Sequence, residues 1–129
     1  MHTREKGNIG EGIACKFLKN KGFVVIDRNY AKKWGELDIV AQKDKKIHFF
    51  EVKAMVVGSL NRISAISAGH TPEENVHAFK IRQIRKMVQT YLADKKIGPG
   101  AEFQFHVLSV YMNEKTRRAR VKWLKDVIL

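Results

Sequence analysis

The sequence predicts one α+β domain with its elements in the order αβββαβ and a central mixed sheet flanked by helices. Three observations predict it: two stretches with apolar residues at helical spacing, three strand-like runs in a row between them, and short polar turns joining the runs. A chain of 129 residues fits one domain, and a hydrophobic fraction of 44% suffices for a core.

The first helix is predicted over Ile9 to Lys21. Ile9, Gly10, Ile13, Ala14, Phe17 and Leu18 share one face, Asn8 can cap the start, and Gly22 can end it in the left-handed conformation. Cys15 lies off that stripe. As the single cysteine it excludes an internal disulfide and a cysteine-built zinc cluster. FVVIDRNY reads as a strand, Gly35 to Gln42 as a second and Ile47 to Ala54 as a third, with a polar turn at Lys43-Asp44-Lys45-Lys46. Met55 to Pro72 has no clear period, and a stretch that long is normally functional or mobile. The second helix is predicted over Glu73 to Ala93, with Val76, Ile81, Ile84, Met87, Val88, Tyr91 and Leu92 as its stripe. His77, beside Ile84, reads as a partly buried polar residue. Glu102 to Tyr111 is a fourth strand; a basic tip, NEKTRRAR, then leads into a short last element ending VKWLKDVIL.

Lys and Arg total 25 against 13 Asp and Glu, a net charge of +12. A small chain with that balance is attracted to a polyanion, either nucleic acid or an anionic membrane surface. Arg117, Arg118 and Arg120 cluster at the last hairpin near Trp123 and can contact a phosphate backbone without reading sequence. No apolar run approaches a membrane span and the start lacks a signal-peptide core, so a soluble, cytoplasmic protein is expected.

The central hairpin supplies the sharpest expectation. A turn centred on Asp44-Lys45 sets opposite each other residues whose numbers sum to 89, whether the loop has two or four residues. Asp38 then faces Glu51 and Glu36 faces Lys53. Alternation puts these four on one side of the sheet, with Leu37, Ile39, Phe50 and Val52 on the other. Opposed Cβ atoms lie roughly 5 Å apart, and like charges there destabilise a sheet. Val40 and Phe49 continue the same face, so the two carboxylates sit near an apolar surface. They must share a proton, shift their pKa values or meet a cation, and a hard divalent ion such as Mg²⁺ suits them. A lysine two residues past Glu51 can neutralise charge that builds on phosphorus. The alternative is a solvated ladder in which Glu36–Lys53 is an ordinary ion pair.

Both helices aim polar groups at the same region. Glu11 lies at the edge of the first stripe and is either the far end of an Asn8-x-x-Glu11 capping box or a third carboxylate. Lys80 falls in the middle of the second stripe and either reaches an anion or snorkels to water.

Gly7-x-x-Gly10-Glu11, Gly22-Phe23, Asn29, Gly35-Glu36-Leu37-Asp38-Ile39-Val40 and Phe49-Phe50-Glu51-Val52-Lys53, followed by Pro72-Glu73, Val76, Lys80 and Tyr91-Leu92, resemble the YraN-type family of small uncharacterised bacterial proteins. That family is similar to Holliday-junction resolvases and the restriction-endonuclease-like (D…E-x-K) nucleases. The resemblance implies a restriction-endonuclease-like core, Asp38 and Glu51 as metal ligands, Lys53 as the catalytic lysine, Glu11 as an accessory acid and Lys80 as a phosphate contact. With it, the sequence reads as a divalent-metal-dependent endonuclease acting on nucleic acid, in the first place structured or branched DNA. Asp38, Glu51 and the carbonyl of Val52 would hold Mg²⁺ (or Mn²⁺), and Glu11 or Glu36 would complete the outer shell. A second copy of the chain is a further candidate partner. The alternative is a catalytically weak or inactive nucleic-acid-binding module of the same fold, because Ala54-Met55 stands where the family usually carries a Thr-Arg-like pair.

Overall fold

The turn at Asp44-Lys45 closes a hairpin in which both residues take positive φ, 54° and 63°. This is the backbone of a two-residue primed turn, whose twist matches that of the flanking strands. The computed structural model describes residues 3–58, 78–98, 100–125 and 127. In chain order these form α1 (Thr3–Asn20), β1 (Val24–Lys32), β2 (Gly35–Lys43), β3 (Lys46–Val56), α2 (Ala78–Asp94), β4 (Phe103–Met112) and β5 (Ala119–Leu124). The five strands make one mixed sheet in the order β1-β2-β3-β4-β5. Among the described strands only β3 and β4 run parallel. A parallel pair needs a crossover, and α2 lies in that connection. The fold is α+β and consistent with a restriction-endonuclease-like core.

Each helix covers one face of the sheet. Ala14, Cys15 and Leu18 of α1 pack on Ile39, Phe50, Leu108 and Val110. Ile84, Met87, Val88 and Tyr91 of α2 pack on Val40, Phe49, Phe105 and Val107. Two glycines let the layers approach closely. A Cβ on Gly10 would lie 2.6 Å from the Cβ of Ala54, and one on Gly35 would lie 2.8 Å from Cγ of Met87. Gly22 ends α1 at φ +92°, as expected. None of the described helices is long and apolar enough to cross a membrane.

Several expectations need correction. The first helix starts at Thr3, six residues before Ile9. Its opening turns, Arg4-Glu5-Lys6, are good helix formers without an apolar period to reveal them. Asn8 is therefore inside the helix, and the Asn8-Glu11 capping box does not form. Cys15 is buried in the α1 core rather than off it. The last element is a full edge strand, β5, paired antiparallel with β4. Leu37 packs with α2, on the face opposite Ile39, so alternation breaks at Asp38. The second helix is described from Ala78 onward; His77, with residues 73–76, and residues 59–72 of the aperiodic segment lie outside the described residues.

Candidate active site

The predicted hairpin register holds from Lys43↔Lys46 through Ile39↔Phe50 and stops there. On the other side of β2, Arg28 pairs with Ile39 and Tyr30 with Leu37. Asn29, between them, takes a left-handed φ of 52°. The break in alternation at Asp38 therefore has a partner in the neighbouring strand, and both distortions fall where the acidic residues gather. Left-handed conformations at non-glycine residues are uncommon and concentrate at functional sites, with Asn among the residues that tolerate them best.

Asp38 does not simply face Glu51. Its Oδ2 accepts a hydrogen bond from the N–H of Val52 at 2.8 Å. Glu11 from α1 and Glu36 from β2 join it, and one carboxylate oxygen from each of the three lies within 4.8 Å of the others. The Asp38 carboxyl is pushed up to about 7. Burial is the main cause; the Val52 N–H opposes it, and the charges of Glu51, Glu11 and Glu36 add to it. Burial also raises Glu11, against a hydrogen bond from Asn29 and the Arg28 guanidinium 3.8 Å away.

Glu51 meets two cations. Lys80 of α2 contacts its Oε1 directly, and the Nζ of Lys53 lies 3.2 Å from the same oxygen. Burial disfavours the charge on both lysines. Lys53 is held below its ordinary value by burial and by the adjacent Lys80 ammonium, against the pull of Glu51. Lys80 stands above its ordinary value because its bonds to Glu51 and Lys53 outweigh burial. Glu51 Oε2 and Glu11 Oε1 are buried and have no hydrogen-bond partner among the described residues. A cleft of about 250 Å³ opens here, lined by Gly35, Glu36, Asp38, Glu51, Lys80 and Gln83 among others.

The expected pair Glu36–Lys53 is thus a correction: β2 pairs with β3 from Ile39 onward and not before it, so Glu36 turns to Glu11 and Asp38 while Lys53 turns to Glu51. Val52 stands beside Asp38 through its N–H, and its side chain packs in the α1 layer. Arg117 and Arg118 are exposed on the β4–β5 connection, Arg120 is exposed in β5, and none of the three is among the residues lining the cleft. Arg117 and Arg118 border a separate hollow with Glu5 and Ile9 at the start of α1. Residue-by-residue reading misses Arg28, the contact of Asn29 with Glu11, and Gln83 on the cleft wall. Asn29 alone leaves a sequence signal, as a turn-loving residue inside a strand-like run.

Hard carboxylate oxygens, two of them buried without a hydrogen bond, and acids pushed up in pKa by burial and mutual repulsion fit a divalent cation bound by oxygen. Comparison with known proteins agrees with the motif reading. The model of "Uncharacterised protein family UPF0102" matches residues 10–110. A UPF0102 protein of Helicobacter hepaticus is 35% identical over 97 residues, covering 75% of this chain and 77% of the relative. One from Clostridium botulinum is 31% identical over 131 residues, covering 98% and 97%. One from Caldicellulosiruptor saccharolyticus is 31% identical over 126 residues, covering 98% of each.

Proposed function

The chain belongs to the uncharacterised protein family UPF0102, whose YraN-type motifs it carries, and from that premise we propose that it is a divalent-metal-dependent endonuclease that hydrolyses phosphodiester bonds in structured or branched DNA. The observation that carries the reading is the meeting of three carboxylates, Glu11, Glu36 and Asp38, beside a fourth, Glu51, that two lysines hold. In this reading Asp38, Glu51 and the Val52 carbonyl would hold Mg²⁺ or Mn²⁺, and Glu11 and Glu36 would complete the acidic shell. The ion supplies Lewis-acid stabilisation of the phosphate and lowers the pKa of water.

The residues of the chain do the rest. Lys80 orients the Glu51 carboxylate, and Lys53 places an ammonium where negative charge grows on the phosphate during attack. Arg117, Arg118 and Arg120 contribute backbone attraction away from the cleft.

One observation favours a second reading, a nucleic-acid-binding module with weak or no catalysis. Ala54 is packed beneath Gly10, so the position after Glu-Val-Lys brings no phosphate contact. The test is incubation with Mg²⁺ or Mn²⁺ and a panel of linear, flapped and four-way DNAs. Cleavage that Asp38→Asn abolishes while DNA affinity persists supports the enzyme. Binding without cleavage by the wild-type protein supports the module.

A further inference from the structure

The turn that joins β1 to β2 carries a feature that the acidic site does not use. Lys33 and Trp34 form its tip, between the last pair Lys32↔Gly35. Trp34 is 42% exposed, although a large aromatic residue is usually mostly covered in a core. It is nevertheless held in place. Gly35 fits against Met87 with no room for a side chain, which ties the turn to α2. The Nζ of Lys86 lies 5.2 Å from the centroid of the indole ring.

The position of this turn relative to the cleft is what gives it meaning. Gly35 and Glu36, directly after Trp34, line the cleft, as does Met87, directly after Lys86. Along α2, Lys80 on Glu51, Gln83 on the cleft wall and Lys86 at the indole are spaced by three residues each. Each is therefore a surface neighbour of the next, and the three step roughly 9 Å along the helix while turning about 120° around it. A cationic and hydrogen-bonding edge thus runs from the carboxylates to an exposed, pre-positioned aromatic ring. Single-stranded nucleic acid is recognised in this way, by lysines along its backbone and aromatic rings on which bases stack. In a continuous duplex the base faces are already occupied by their neighbours.

We propose that Trp34, with Lys33, Lys86 and Gln83, is a stacking platform for an unpaired nucleobase next to the phosphate held in the acidic cleft. The inference deepens the nuclease reading and rests on it. It names the substrate class as DNA with an unpaired stretch at the cleavage position, such as a flap or an open junction. The indole takes the base, Lys86 and Lys33 meet the flanking phosphates, and Gln83 hydrogen-bonds the strand on its way to Glu51 and Lys80.

The test is binding by the full chain in chelator, so that nothing is cleaved, measured by fluorescence anisotropy. The probes are a labelled single-stranded oligonucleotide and the blunt duplex of the same sequence. Trp34→Ala should weaken single-strand binding roughly tenfold or more, as loss of one stacked base does. Duplex binding should stay unchanged, and Trp34→Phe should recover most of the loss. Equal losses on both probes, no loss on either, or no single-strand binding by the wild-type protein would each overturn the platform. Cleavage with Mg²⁺ is scored separately. A selective Trp34 effect in a protein that never cleaves would leave the platform standing and sink the enzyme. Cleavage unaffected by Trp34→Ala, with no selective binding loss, would do the reverse.

Discussion

Asp38 keeps its proton up to about pH 7 because burial disfavours the charge and three neighbouring carboxylates repel it. The folded value lies above the ordinary 3.8, so the folded state binds this proton more tightly than the unfolded chain. Metal-free protein should therefore lose stability as pH rises between about 4 and about 7, and Asp38→Asn should flatten that decline. Denaturant unfolding at pH 5 and pH 8 checks this, with the variant no less stable than wild type at pH 8; a steeper decline in the variant would contradict it. Lys53 serves catalysis rather than architecture in this account. Lys53→Met should reduce single-turnover cleavage by roughly a hundredfold while barely changing DNA affinity. Lys53→Arg should not rescue it, since a planar fork does not replace a compact ammonium. Wild-type cleavage by Lys53→Met would make the lysine structural. At this scale the nearness of Asp38 and Glu51 was legible, because the turn sets the register of everything up to Ile39. The true partner of Glu36 was not: pairing arithmetic assumes a regular strand, and the strand bends at Asp38 opposite a left-handed Asn29.

The helices act by placing single side chains, and close packing sets their distance from the sheet. α1 carries Glu11 to Asp38 only because Gly10, the residue before it, lies against Ala54. Gly10→Ala should push the helix outward, at a cost of about 1–3 kcal/mol from overpacking, and weaken metal binding along with stability. Ala54→Gly in the same chain should restore both, since it removes the opposing methyl group. Thermal unfolding of the two single variants and the double variant reads this coupling; strictly additive effects would mean that the contact does not matter. Both helices and all four expected strands were legible from apolar spacing and turn residues. The opening turns of α1 were not, being polar and aperiodic. Strand β5 appeared only as a short last element, since its alternation is shallow and its edge position leaves Arg120 and Lys122 near water.

The net charge of +12 belongs to the molecule as a whole and predicts how it meets its substrate. DNA affinity should fall steeply between low and physiological salt as phosphate contacts release counterions. Replacing Arg117, Arg118 and Arg120 together by alanine should flatten that slope; an unchanged slope would place the binding face elsewhere. The acidic site is equally a property of the whole. Glu11 comes from α1, Glu36 and Asp38 from β2 and Glu51 from β3, so the group exists only in the folded chain. Motif spacing made its members legible, and Lys80 in the middle of an apolar stripe pointed to an anion or to water; that the anion is Glu51 depends on how α2 seats. Together these carboxylates are proposed to form one site for a divalent cation. Titration calorimetry with Mn²⁺ on the wild-type protein, Asp38→Asn and Glu51→Gln tests it most directly. A site is expected in the wild type and in neither variant, and equal Mn²⁺ affinity in all three proteins would rule the shared site out.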